Sequence, residues 1–193
     1  MGQLDIVEER PPDLEAYGEV PSAFLVRRVL VPVVRAGCLG GLGLEERPVA
    51  DAWWKDYDAI EGNAPASWPA HHDVSSWRVL AALAGHRRVG GAVVTPPPAG
   101  AGAAILHDLR VRPENRGAGV GRALFEAAAG LVAAAGWRGL EVETQDVNVA
   151  AFHFYVEVGC ELRAIEADAY PRCPGEARLT FRHPLAGHAA TGR

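Results

Sequence analysis

The stretch RGAGVGRALFEAAAG, residues 116–130, sets three glycines at every second position ahead of an alanine-rich run with helical spacing. Each glycine costs a helix about 1 kcal/mol relative to alanine, so three at its entry need a separate reason. A strand feeding a helix through such a turn presents free backbone N–H groups at the positive end of the helix dipole. That is an anion site, and phosphate is its usual guest. Two nucleotide patterns fail on spacing. A P-loop needs Lys-Ser/Thr after its last glycine, whereas Gly121 is followed by Arg122-Ala123. The dinucleotide fingerprint needs G-x-G-x-x-G, and Gly117-x-Gly119-x-Gly121 is one residue short.

Upstream, AAILHDLRV (103–111) reads as the strand that delivers the chain to this turn, with PPPAGAG before it as a loop. SWRVLAALA and RVGGAVVT flank GHR as a β-hairpin. Downstream, the helix runs to Ala135 with Gly136 as its stop, and Leu124, Ala127, Ala128, Leu131 and Ala135 form its apolar face. GLEVETQ (139–145) alternates as a strand, with Leu140, Val142 and Thr144 on one side and Glu141, Glu143 and Gln145 on the other. Asn148 caps a second helix, which Gly159 ends, and CELRAIEADAY and ARLTFRH follow as closing strands. Toward the N-terminus, residues 1–19 read as a loose or docked arm and 22–34 as a strand or two. GCLGGLGL (37–44) breaks regular structure, and VADAWWKDYDAI (49–60) reads as a short helix.

The 193 residues suffice for one domain with a sizeable core, and 49% hydrophobic with 22% charged is the balance of a soluble globular protein. A net charge of −5 without a lysine- or arginine-rich block disfavours nucleic acid. Cys38, Cys160 and Cys173 are scattered, with no C-x-x-C. They predict neither a disulfide framework nor a zinc site, and they fit a reducing cytoplasm. His71-His72-Asp73 lacks the spacing of a metal site, so no metal is expected. The acidic N-terminus has no apolar core of a signal peptide, and no run approaches the ~20 apolar residues that span a bilayer.

Arg116-Gly117-Ala118-Gly119-Val120-Gly121 resembles the Arg/Gln-x-x-Gly-x-Gly/Ala signature of the GCN5-related N-acetyltransferases, and HDLRVRPENRG resembles the strand that leads into it. A second region is also similar to that superfamily, in particular its streptothricin acetyltransferase-like branch. Its matching positions are Glu143-Thr144-Gln145, Asn148-Val149-Ala150-Ala151, Phe154-Tyr155 and Gly159-Cys160. The resemblance covers roughly 75–185. Cys160 stands where the family usually has an aromatic residue, and Phe152 where close streptothricin relatives often carry cysteine, which leaves the substrate open.

The resemblance implies an α/β fold: a mixed, mostly antiparallel central sheet splayed between two strands and flanked by helices. It implies an acetyltransferase core over 75–185, a strand and helix region over 1–74 that packs on or completes it, and a disordered tail over 186–193. Acetyl-CoA is the implied co-substrate. Arg116, Gly117, Ala118, Gly119, Val120, Gly121 and Arg122 would wrap its pyrophosphate, backbone groups of Leu109, Arg110 and Val111 would pair with its pantetheine arm, and Asn148 and Tyr155 would line it. Tyr155 is the implied proton donor to the departing thiolate, since phenol and thiol pKa values of about 10 and 8.5 make that transfer easy. Glu143 and Asp108 are candidate bases, His107 an alternative one, and Asp168 and Tyr170 candidate substrate contacts. The implied reaction is N-acetylation of a primary amine by direct attack, on a cationic small molecule such as a streptothricin-like antibiotic. Acetylation of a protein lysine or N-terminus, a non-catalytic acyl-CoA sensor and a homodimer stay open; no nucleic-acid or membrane partner is expected.

Overall fold

A computed structural model describes residues 3–10, 12–34 and 42–185. The tail read at 186–193, Cys38 and most of the glycine break at 37–44 lie outside these residues. The chain divides into two compact units: Met1–Ser22, Asp56–Val142 and Arg182–Arg193 in the first, Ala23–Lys55 and Glu143–Phe181 in the second.

The largest element is a seven-stranded sheet ordered β1-β4-β5-β6-β7-β9-β8. Its strands are β1 (Leu4–Glu9), β4 (Arg78–Ala84), β5 (Arg87–Thr95), β6 (Ala104–Val111), β7 (Gly139–Gln145), β8 (Glu161–Glu166) and β9 (Arg178–Pro184). β1, β4, β5 and β6 pair antiparallel in succession, with Gly85 in the left-handed region at the β4–β5 turn. β6 and β7 pair parallel, which no hairpin can connect, and α3 (Val120–Ala134) supplies the crossover. Their ladder covers only Ala104↔Leu140, Ile105↔Glu141 and Leu106↔Val142, while β6 runs on to Val111. The sheet is mixed, mostly antiparallel and flanked by helices, as the resemblance implied.

The described residues of 1–19 are docked rather than loose. β1 holds Leu4↔Ala84 through Glu9↔Val79 against β4, and Arg78 Nη2 donates to Glu8 Oε2 at 2.9 Å. The guanidinium of Arg78 holds the Glu8 carboxyl down at about 2. α1 (Leu14–Gly18) starts at Asp13, whose Oδ1 accepts from the Ala16 N–H at 2.9 Å. Leu14 and Tyr17 then join Trp68, Val79 and Val93 in the core, with Trp68 at the head of α2 (Trp68–His71). On α3 the buried stripe is Val120, Leu124, Phe125, Ala128 and Val132, so the apolar face is rotated from the expected one and Ala135 is exposed.

The helix expected over 49–60 is corrected. Residues Leu42–Lys55 form β3, a strand paired antiparallel with β2 (Phe24–Val34) in a separate two-stranded sheet of the second unit. Ala-Trp-Trp-Lys carries no decisive local period, and the β-branched run of β2 opposite supplies the partner that selects strand. β3 also takes in Leu42–Leu44, which the sequence placed in the glycine break. In the same unit, α4 (Val149–Glu157) begins at Asn148, whose Oδ1 accepts from the Ala151 N–H at 3.2 Å, and it ends before Gly159 at φ +86°. Among the described residues, no helix is long and apolar enough to cross a membrane.

Candidate functional site

In the first unit, β6 delivers the chain through Pro113–Asn115 to Arg116 and the glycine turn. The three glycines are not equivalent. Gly117 and Gly119 take φ of +74° and +85°, in the left-handed region, whereas Gly121 lies in the first turn of α3. A Cβ built at Gly117 or Gly119 meets nothing within 4 Å, so the outer face of the turn is open. Gly119 is the N-cap residue and no side chain caps the helix there, which leaves the first N–H groups of α3 directed at that opening. Arg116 Nε donates to the Val111 carbonyl at 3.0 Å, tying the turn to the end of β6. The open face, the helix terminus and the exposed Arg122 fit a pyrophosphate group.

β6 lines up its residues in period two. Leu109, Arg110 and Val111 pair with Ala92, Gly91 and Gly90 of β5. Arg110 is 6% exposed and makes four hydrogen bonds and a further ion-pair contact through its guanidinium. Its Nε donates to Asp108 Oδ2 at 2.7 Å, and Nη2 reaches the same oxygen at 2.5 Å. Nη1 donates to Asp58 Oδ2 at 2.9 Å and to the Val20 carbonyl at 3.1 Å, and Nη2 to Asp58 Oδ1 at 3.1 Å. The guanidinium carbon stands 5.1 Å over the Tyr17 ring. Gly91 permits this approach, because a Cβ there would stand 2.5 Å from the Tyr17 ring. Burial raises the Asp108 pKa and Arg110 pulls against it. Beside this group, the His107 ring lies 4.5 Å from Trp77, 5.0 Å from Trp68 and 5.8 Å from His72. Partial desolvation among these rings, with His72 and Arg110 nearby, lowers its pKa to about 4, although the residue as a whole is exposed.

In the second unit, Glu143 of β7 is held at both carboxylate oxygens. Tyr170 Oη donates to Oε1 at 2.8 Å, and Arg178 Nε forms an ion pair with Oε2 at 3.2 Å without the alignment of a hydrogen bond. Gln145 Nε2 donates to Tyr170 Oη at 3.0 Å, and the Arg178 guanidinium lies 5.4 Å over the Tyr170 ring. Burial, with the Glu143 carboxylate, raises the Tyr170 pKa. Asp168 stands apart from this group. It takes φ +51°, and its Oδ1 accepts from the Gly175 N–H at 3.1 Å. Tyr155, on α4, is 7% exposed, with the Phe154 and Phe181 rings at 5.3 and 5.8 Å. His153 pairs with Glu46 of β3.

Residues expected separately at the site meet in two places: Asp108 with Arg110, and Glu143 with Tyr170. Sequence reasoning gave no role to Tyr17 or Arg178 and no partner to Gln145, and it placed Asp58 only among the tryptophans and acids of the N-terminal third, offered as a substrate wall or dimer contact. The signal for the first cluster was Asp108 and Arg110 on one face of β6; no local spacing showed that Asp58, 52 residues away, joins them.

The sequence profile of the acetyltransferase (GNAT) family matches residues 45–160. Streptothricin acetyltransferase A of Bacillus subtilis (strain 168) is 34% identical over 73 residues, which is 38% of this chain and 42% of that relative's length. Two solved structures share the fold over 94% of the chain. One, assigned as a streptothricin acetyltransferase of Bacillus anthracis str. Ames and in complex with acetyl coenzyme A, superposes over 99% of its own length with a TM-score of 0.76 at 20% identity. The other is nourseothricin acetyltransferase, with 98% of its length, a TM-score of 0.75 and 25% identity.

Proposed function

The chain belongs to the acetyltransferase (GNAT) family, and we propose that it moves an acetyl group from acetyl-CoA to a primary amine of a cationic small molecule of the streptothricin type. The observation that carries the donor half is the turn at Gly117 and Gly119, open on its outer face at the N-terminus of α3. The likeness to streptothricin and nourseothricin acetyltransferases supports the acceptor class.

Acetyl-CoA supplies the thioester whose carbonyl carbon the amine attacks, so a C–N bond forms and the C–S bond breaks. Arg116–Arg122 hold the pyrophosphate through backbone N–H groups and the exposed Arg122. Leu109, Arg110 and Val111 offer backbone groups to the pantetheine arm on the side of β6 where the ladder to β7 has already ended. The amine must lose a proton, and of the two carboxylates Asp108 is the better acceptor, because burial raises its affinity for a proton. Glu143 has both oxygens engaged by Tyr170 and Arg178, which suits a fixed anion that attracts a cationic acceptor. Tyr155 gives its phenolic proton to the leaving sulfur.

The donor half is tested by calorimetry with acetyl-CoA on the purified protein. Binding at micromolar concentrations with one site per chain is expected; no binding in that range removes the reading.

A further inference from the structure

The second unit contains a cavity of about 430 Å³ that the catalytic assignments do not use. Its walls include Leu30 and Pro32 of β2, Trp53 of β3, Asp146 at the end of β7, and Pro174 and Glu176 of the segment before β9. The alternation of β3 puts Trp53 and Lys55 on one face. Lys55 is 9% exposed and fastens the 173–176 segment to that face, donating to Glu176 Oε1 at 2.6 Å and to Cys173 Sγ at 3.1 Å. Asp146 fixes another part of the lining. Its backbone carbonyl accepts from the Leu30 N–H at 2.9 Å, its N–H donates to the Ala177 carbonyl at 3.1 Å, and its Oδ1 accepts from the Ala177 N–H at 3.0 Å. The cavity is therefore formed before any ligand arrives, as binding sites generally are.

Its chemistry is specific. The lining is mostly apolar, with one indole and two carboxylates. Lys55 neutralises Glu176, whereas among the described residues no cation pairs with Asp146, so the wall carries one uncompensated negative charge. Trp53, 40% exposed, brings an accessible indole to the same lining. An accessible indole and an unpaired carboxylate lining one mostly apolar cavity attract an organic cation and disfavour an anion or a neutral sugar.

We infer that this cavity binds the cationic end of the acceptor, an ammonium or guanidinium on an apolar stem, with Asp146 as its counter-ion and Trp53 as its aromatic wall. The inference rests on the acetyl-transfer reading above and names the part of the acceptor that the second unit takes. Asp146 and Trp53 act on substrate binding and have no part in the bond-making step.

The test is steady-state acetylation of nourseothricin, with Asp146→Asn, Trp53→Leu and Trp53→Phe compared with the wild-type protein. Asparagine keeps an oxygen to accept from the Ala177 N–H, leucine keeps apolar area without a π face, and phenylalanine keeps the π face. Asp146→Asn and Trp53→Leu should each raise KM for nourseothricin about ten-fold, a typical loss for a desolvated cation contact. Both should leave kcat and the KM for acetyl-CoA within about two-fold, and Trp53→Phe should stay within about three-fold of the wild type throughout. An unchanged nourseothricin KM in both variants overturns the inference, as does a parallel loss of acetyl-CoA affinity. If the wild-type protein acetylates no amine, the acetyl-transfer reading fails separately, and calorimetry with nourseothricin alone decides. Binding that Asp146→Asn abolishes upholds the cavity; no binding to the wild type overturns it.

Discussion

Gly119 and Tyr155 carry the two most exposed claims at the scale of single residues. Gly119 sits at φ +85° with nothing within 4 Å of a built Cβ, so a side chain there meets strain and no clash. Asparagine tolerates that backbone region, and aspartate adds a negative charge where a pyrophosphate is expected. Gly119→Asp should therefore weaken acetyl-CoA binding about ten-fold or more in calorimetry, and Gly119→Asn should weaken it markedly less. Equal losses would make the turn a matter of backbone strain alone. Tyr155→Phe should lower kcat on the order of 100-fold, with acetyl-CoA affinity nearly unchanged; equal loss of both would leave Tyr155 as packing against Phe154 and Phe181. The sequence motif made these residues legible because their chemistry depends on short spacing. It was blind to the hydrogen bond from Tyr170 to Glu143, which joins residues 27 positions apart and exists only once the chain has turned back.

Among elements, β6 is tied by the Arg110 guanidinium to Asp58, in the segment after β3, and to the Tyr17 ring of α1, with Asp108 of β6 itself as the second counter-ion. Removing one partner of a buried ion pair typically costs about 3–5 kcal/mol, because the remaining charges lose their counter-ion. Arg110→Met should cost stability of that order in urea unfolding, and adding Asp58→Asn and Asp108→Asn should restore most of it. Failure of the triple variant to recover would mean that Arg110 acts by packing on Tyr17. Two other groups predict how acid loosens the first unit. Glu8 titrates at about 2 in the fold against an ordinary 4.5, so its support for β1 is complete above 4.5 and fades as pH falls toward 2. His107 titrates at about 4 against an ordinary 6.5. The fold favours its neutral ring, and that support is lost as pH falls from 6.5 through 4. The melting temperature should decline in both windows; His107→Asn should flatten the upper one and Glu8→Gln the lower one. The β4–β5 hairpin, β7 and α4 could be read directly from turn glycines, alternation and the Asn148 cap. β3 could not, because Trp53-Trp54-Lys55 becomes a strand through the partner β2 offers, and no local period records that pairing.

For the molecule as a whole, a net charge of −5 gives no location for the negative potential. The side chains do: the two aspartates around Arg110 in the first unit, and Asp146 in the cavity that Trp53 also lines in the second. The sequence indicated the donor because pyrophosphate recognition is written in glycine spacing. The acceptor was less visible: the tryptophans around Trp53 suggested a substrate wall or a dimer contact, but the other residues of its cavity come from β2, the end of β7 and the segment before β9, each ordinary in its own local context. The central claim is amine acetylation, and the direct measurement is release of free thiol from acetyl-CoA on adding nourseothricin, with the product followed by mass. Release that depends on the amine, with one acetyl group gained per thiol freed, is the predicted result. Tight binding of acetyl-CoA with no amine-dependent release, from nourseothricin or from a panel of primary amines, would contradict it and leave an acyl-CoA sensor.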